Sequence, residues 1–483
     1  MTSEAKRRSP ARRPKSLHRA KPIRTAPPVR VIVLNYNGQG YIEPCLASVL
    51  ETDYPHLSVV MVDNGSTDGS PERVRKQFPR VELINAGGNL GFSRGNNLAL
   101  RRAPEQLVAL LNPDTTVDPN WLQPLVDRVL ADPITAGVGP KILYRFDRVP
   151  VRLSVEGFHP GAGDRRVLGV RIYNVRAQDG QGEATAHFNR GMHGWESDHA
   201  GRQFMWSATL AEIAVGWRSG PLNVEFDIST GGSRADVEVT LDVPDHQIAP
   251  VRAMVGNGVS TLRMEIEHGG VAAKPVIENA GILPLPDGSM RDRGTRLSNG
   301  HVWNDWDGAE YATPREVFAV KGGAALYRRD MLYALGYLDD GIFMYYEDAD
   351  LCWRARRRGW RFWYEPASVV RHAHAALSRE WSPRFIRSVE FGKLRMLAKN
   401  APMPWVWRHA AESAKFGGVS LAQAGRKALF GSFGVGDIQA AAARADALAR
   451  SLLAAPETRR LRLIESALAP LDGRELRPFL PDA

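Results

Sequence analysis

The sequence predicts an α/β protein: a mostly parallel sheet, interrupted by an all-β sandwich insertion and followed by a helical C-terminal region. Three observations predict it. Apolar runs alternate with helix-like segments over the first part of the chain and again after about residue 277. Between 145 and 276 the period of the apolar residues drops to two, with Gly, Pro, Asp and Ser at the breaks. From about 401 onward the chain is Ala- and Arg-rich and reads as helix.

Taken in order, residues 1–28 hold nine Lys/Arg against one acid, Glu4. Such a stretch has little to bury and reads as a disordered basic tail. It carries most of the formal charge of +10, so the rest of the chain is nearly neutral. That distribution argues against nucleic acid as a partner of the folded part. The tail has no apolar central stretch of the secretory kind. Two cysteines, Cys45 and Cys352, form neither a disulfide framework nor a zinc site, which points to a reducing, cytoplasmic setting.

"VRVIVLNYNG" (29–38) is a continuous apolar run ending in a polar turn, as a buried parallel strand should be. A helix is expected over 41–50 and a second strand in "LSVVMVDNGS" (57–66), with Ser66 or Thr67 placed to cap the next helix. "VELINAGG" (81–88) and "LVALLNPD" (107–114) are further strands, separated by the helix "SRGNNLALRRA". Ligands of such sheets bind beyond the carboxyl ends of the strands, and Asn35, Asp63 and Asn112–Asp114 lie at those ends. "NAGGNLGFSRGNN" is glycine-rich but lacks the dinucleotide spacing G-x-G-x-x-G.

The sandwich is expected to carry Trp195, Trp206 and Trp217. Interior packing is the commoner fate of such residues, although aromatic rings can also stack on sugars. The α/β rhythm returns at "VFAVKGGAALYRRDMLYALGYLD" (317–339) and runs through "YYEDADLCW" (345–353) to "PASVVRHAH". Glu347, Asp348 and Asp350 crowd the predicted start of a helix that Gly359 ends. Asp350 precedes Arg354 by four residues, so an i,i+4 ion pair accounts for it, and replacing it should matter little beside Asp348. Glu347 suits capping or acceptor orientation. Asp348, in the first turn, is favoured as an ionised carboxylate by the helix dipole. The segment 403–433 mixes aromatic residues with Arg and Lys, a pattern that fits either a membrane surface or packing on the neighbouring domain.

The ordered stretches "VIVLNYNG", "VVMVDNGSTDGS", "NLGFSRGNNLAL", "LLNPDTTVDPNWL", "GGAALYRRD", "GYLDDGIFMYYEDADLCWRARRRGW" and "PASVVRHAH" resemble the family 2 glycosyltransferases, and among them the bacterial rhamnosyltransferase-like members. The resemblance implies a GT-A catalytic domain split into 29–144 and 277–400, around the insertion 145–276 and before the helical region 401–483. It implies an inverting transfer from a nucleotide-diphosphate sugar, dTDP-rhamnose or a UDP-sugar. The acceptor would be a glycan or lipid-linked, on the path to bacterial surface polysaccharide. By the same resemblance Asp63 contacts the nucleotide, Asn35, Asn37, Asn89, Asn97, Asn112 and Asp114 belong to the nucleotide-sugar site, Asp114 and His372 hold Mg2+ or Mn2+, and Asp348 is the base, with Glu347 beside it. The metal motif departs from D-x-D, because Asn112 stands where the first acid would be. Peripheral contact with the cytoplasmic face of the membrane would bring such an enzyme to its acceptor. A carbohydrate-binding protein with an inactive transferase domain is the alternative.

Overall fold

A computed structural model describes residues 26–161, 163–244, 246–267, 272–373, 382–429, 435–468 and 470–480. The basic tail, apart from its last three residues, and the final part of "PASVVRHAH" lie outside them.

The first half of the sheet is built from β1 (Val29–Asn35), β2 (Leu57–Asp63), β3 (Glu82–Asn85) and β4 (Leu107–Leu111). The intervening helices are α1 (Ile42–Leu50), α2 (Ser70–Gln77) and α3 (Gly91–Leu100). The short β5 (Thr115–Val117), the helix α4 (Leu122–Ala131) and the long β6 (Thr135–Tyr144) follow. Successive strand residues point to opposite faces, so each strand feeds two cores at once. Ile32, Val60, Val62, Val108 and Leu110 enter one apolar cluster, and Val31, Val33, Met61, Ala109 and Leu111 enter the other. This is why these runs are apolar throughout rather than alternating.

β1 lies parallel between β2 and β4, and β3 continues the sheet beyond β2. The chain therefore changes direction between β1 and β4, and a ligand crevice opens at the carboxyl ends there. On the far side of β4 the strand Ala324–Arg328 runs antiparallel and joins β4 to β6. The twelve-residue strand Arg361–His372 runs parallel to β6, with Arg315–Val317 at the outer edge.

Between β6 and residue 277 lie two antiparallel sheets. One centres on Arg148–Val155 and Leu210–Gly216, the other on Arg171–Asp179 and Leu222–Ser229. Val149, Val151 and Leu153 from the first meet Val224, Phe226 and Ile228 from the second in one core. The alternation in "LNVEFDIS" reads directly onto burial, since Leu222, Val224, Phe226 and Ile228 are all fully buried. Entry and exit of this region are pinned by reciprocal backbone hydrogen bonds between Arg148 and Lys274, of 2.9 and 2.8 Å. The tryptophans divide. Trp206 is buried, Trp217 is half-buried and donates its indole N–H to Gly220 O, and Trp195 is 56% exposed.

The C-terminal portion contributes α5 (Arg329–Ala334), α6 (Glu347–Arg356), α7 (Pro383–Asn400), α8 (Met403–Leu429), α9 (Val435–Leu453) and α10 (Ala455–Leu468). The Ser382 hydroxyl accepts from Phe385 N, and Pro383 opens α7 at a position where its missing N–H costs nothing. α7 lies against α6 as well as α8, α9 and α10, tying the helical end to the sheet domain. Among the described residues no helix is long and apolar enough to cross a membrane.

One local expectation is corrected. Neither Ser66 nor Thr67 caps α2: its N-cap is Gly69, in the left-handed region at φ 79°. The Ser66 hydroxyl instead accepts from Asn35 and from the backbone of Asn37, holding the β1 and β2 loops together.

Candidate active site

At the carboxyl end of β1, Asn35 is fully buried and its amide nitrogen donates to Ser66 and Ser70. Its register partner is Asp63, the last residue of β2, so the two sit side by side at the crevice. Asp63 Oδ1 accepts from the backbone of Ser66, at 3.1 Å. Asn37 adopts φ 50° and accepts from Thr67 N, while Asn89 accepts from the backbone of Gly91. Asn97 departs from the expectation. Its amide bonds both to the backbone of Leu338 and to Asp340, so its polar atoms fasten α3 to the 338–340 loop instead of facing the crevice.

Asp114 and His372 meet because of sheet register. Thr115, opening β5, pairs with His372 at the end of its strand, which sets Asp114 beside the imidazole. Asp114 Oδ1 lies 3.0 Å from His372 Nε2, and His372 Nδ1 lies 3.1 Å from Glu278 Oε2. Glu278 also pairs with Lys321, whose ammonium reaches Asp292 at 3.2 Å. The charges therefore alternate along one line, from Asp114 through His372, Glu278 and Lys321 to Asp292. Burial alone would lower the His372 pKa, but Glu278 and Asp114 outweigh it and hold it at about 9. Lys321, half-buried, is held far above its usual value by Asp292 and Glu278 despite the cost of burial.

This donor set fits a divalent metal. Asp114 offers oxygen and His372 Nε2 offers nitrogen at a common point, and the carboxylate on Nδ1 is the partner that orients metal-bound histidines. A metal held there would be bound by the ionised carboxylate and the neutral imidazole, so its binding would release a proton. Asn112 contributes by shape: its backbone N–H donates to Gly323 O, and a Cβ on Gly323 would lie 2.9 Å from the Asn112 side-chain nitrogen.

The third part is the start of α6. Tyr345 and Tyr346 both take left-handed backbone angles, φ 71° and 70°, each costing on the order of 1–3 kcal/mol. The strain is over-determined by packing. Tyr345 lies edge-on to Phe385 at 5.1 Å, and Gly392 of α7 leaves room for the Tyr345 carbonyl, where a Cβ would collide. The double turn swings the carboxylates inward. Asp348 Oδ2 accepts from Gly322 N at 2.9 Å and its Oδ1 from Ala349 N at 2.7 Å. Burial raises the Asp348 carboxyl above its ordinary range, and these two N–H donors pull it back. Glu347 is pushed well higher, first by burial and then by Asp348, and its Oε2 is buried without a hydrogen-bond partner among the described residues. Of the two, Asp348 is the one equipped to carry charge.

Asp350 forms the expected ion pair with Arg354, at 3.0 Å, but not on a surface. It is fully buried, and its other oxygen meets Lys399 and Asn400 of α7 at 2.8 and 2.9 Å. The expectation that this position matters little is corrected: it locks α6 to α7.

Residues 30–178 match the family model described as glycosyl transferase family 2. The chain carries a family 2 glycosyltransferase domain. The match runs from β1 through β6 and into the first strands of the two antiparallel sheets. The chain is 32% identical over 124 residues to the N-acetylglucosaminyl-diphospho-decaprenol L-rhamnosyltransferase of Mycobacterium tuberculosis, covering 23% of this chain and 40% of the relative. It is 36% identical over 91 residues to a putative teichuronic acid biosynthesis glycosyltransferase of Bacillus subtilis, covering 18% of this chain and 36% of the relative. The alignment thus spans less than half of each of these relatives. A crystal structure of GalNAc-T7 with UDP, GalNAc and Mn2+ aligns at 13% identity over 78% of this chain and 48% of its own, with a TM-score of 0.39, too low to argue from.

Three residues at the centre of the candidate site escaped the sequence reading: Glu278, Lys321 and Asp292. The usable signal was Lys321, a lone cation between the apolar run "VFAV" and two glycines. Its segment joins the two ends of the site. Lys321 reaches Glu278, Gly322 holds Asp348, and Gly323 touches Asn112.

Proposed function

We propose that the chain is an inverting, metal-assisted glycosyltransferase of the GT-A kind, acting in bacterial cell-surface glycan synthesis. In this reading 29–144 and 277–400 make one catalytic domain, 145–276 is an inserted sandwich, and 401–483 is a helical region that meets the membrane surface. The observation that carries the reading is the Lys321–Gly323 segment. It holds a half-buried carboxylate, Asp348, within the same small structure as the Asp114–His372 donor pair.

In the transfer, Asp348 takes the proton of the acceptor hydroxyl. The freed oxygen attacks the anomeric carbon as its bond to the diphosphate breaks, and a single displacement inverts that centre. A divalent ion held by Asp114 and His372 would spread the charge of the departing diphosphate. Asp63 and Asn35, side by side at the β1 and β2 ends, are placed for the nucleoside. The strained tyrosines keep Asp348 aimed, and Tyr345 offers an apolar face to a sugar.

The donor is a pyrimidine diphosphate sugar, with dTDP-rhamnose first and a UDP-sugar second. The L-rhamnosyl transfer in the name of the mycobacterial relative supports rhamnose as the sugar. Turnover on a panel of nucleotide sugars tests the reading, together with calorimetry of UDP, dTDP, GDP and ADP in the presence of Mn2+ or Mg2+. dTDP or UDP should bind tightest, and excess EDTA should stop transfer. A preference for a purine nucleotide, or full turnover in EDTA, would refute the assignment.

The helical end supplies the membrane contact. Trp407, Phe416 and Leu421 on α8 are 65%, 58% and 55% exposed, and Arg408 and Lys415 are exposed among them. Apolar and cationic side chains so mixed suit an anionic lipid surface, which the basic tail would also seek. Flotation with anionic vesicles at low salt should carry the protein up, and high salt should weaken the binding. Failure to float at low salt would remove this part of the proposal.

A further inference from the structure

Beyond the C-terminal end of α6, Arg356, Gly359 and Trp360 form one wall of a cavity of about 820 Å³. Six arginines line it: Arg291, Arg293, Arg296, Arg315, Arg356 and Arg361. Three acids, Glu310, Glu316 and Glu475, face them. Part of the charge is answered within the protein. Arg296 pairs with Asp305 and Glu310, and Arg356 with Glu316. Arg293 donates to the carbonyls of Ala280 and Glu310, which satisfy its N–H groups without neutralising it.

Arg291, Arg315 and Arg361 have no side-chain hydrogen bond or ion pair among the described residues, and all three are exposed. The crowding is felt by the buried members. Burial and then Arg315 lower the Arg293 pKa; burial lowers that of Arg356, and Arg361 adds to it. The cavity is distinct from the site already described. Along the strand Met290–Asp292, Asp292 reaches Lys321 while Arg291 lines the cavity, as strand alternation requires. The eight helical steps from Asp348 to Arg356 also separate the two sites by about 12 Å of rise.

We propose that this cavity binds a ligand carrying phosphate or diphosphate groups, separately from the sugar donor. Guanidinium forks match phosphate oxygens two at a time, which ammonium groups do not. The volume lies within the roughly 300–1,000 Å³ of small-molecule pockets. Trp360 and Phe479 add aromatic faces for whatever the phosphate is attached to. Two sources share this chemistry: the diphosphate of a lipid-linked acceptor, and a free phosphorylated metabolite.

The test is calorimetric titration of the full chain with inorganic pyrophosphate in EDTA, for the wild type and for Arg315→Gln/Arg361→Gln. Both side chains are exposed and unpaired, so the double variant should melt as the wild type does. Saturable binding that weakens with salt is expected, falling at least ~10-fold in the double variant while affinity for the donor nucleotide stays unchanged. No saturable binding at low salt, or wild-type affinity in the double variant, would overturn the proposal. Inhibition of transfer then separates the sources. Pyrophosphate competing with the lipid-linked acceptor assigns the site to the acceptor, and a non-competitive effect assigns it to a free ligand. The binding readout stands even if the transferase reading fails.

Discussion

Asp348→Asn should keep donor binding and lose at least ~100-fold in transfer, the low end for removing a general base. The amide preserves the shape of the carboxylate and can still accept from Gly322 N, so the fold around it should survive. What it cannot do is hold the proton of the acceptor hydroxyl. Glu347→Gln is the informative companion. Burial and the neighbouring Asp348 push the Glu347 carboxyl well above the usual carboxylate range, toward its neutral form, so loss of its charge should change transfer far less. The pH profile follows from the same placement. The base must be ionised and its pKa is raised, so activity should fall on acidification above the ordinary carboxylate range. Near-normal transfer by Asp348→Asn alongside an inactive Glu347→Gln would reverse the two roles.

Asp350→Asn should damage the fold instead of the chemistry. The substitution leaves Arg354 and Lys399 buried with less negative charge between them, and breaking a buried pair costs about 3–5 kcal/mol. Lys399 and Arg395 keep Asp339 as a partner, which places the cost toward the lower end. The melting temperature of the variant should drop by on the order of 10 °C, while the protein that remains folded turns over donor normally. An unchanged melting curve would mean that the α6–α7 knot contributes no stability. A selective loss of turnover without destabilisation would move Asp350 into the active site.

The sheet domain was legible because burial on both faces writes itself as uninterrupted apolar runs, as in "VRVIVLN" and "LVALL". The two-sheet region was legible for the opposite reason: strands such as "LNVEFDIS" keep one face wet and alternate. Strand-end residues gave away half of the candidate site, because Asn35, Asp63 and Asp114 follow directly from strand position. The other half depends on long-range pairing that no local pattern encodes. Glu278 reaches His372 only because Ile277–Asn279 pairs with the end of β6. Asp350 looked like half of a surface ion pair because its second partner, Lys399, lies on a helix that local spacing cannot dock. Asn97 misled for the same reason, its true partners being Leu338 and Asp340.

The position of Ala324–Arg328 between β4 and β6 has a consequence for how this chain must be made. β1 to β4 leave the ribosome early, but the strand that closes the free edge of β4 is more than two hundred residues away. At about 5–20 residues per second, that edge waits roughly 10–40 s for its partner. Meanwhile the intervening two-sheet region emerges complete, with its own core and with its ends tied at Arg148 and Lys274. Its core draws on no residue of the half-built sheet. An unpaired, apolar strand edge held open for that long is a template for aggregation. The open edge of β4 is therefore a hazard that lasts for as long as translation of the intervening residues.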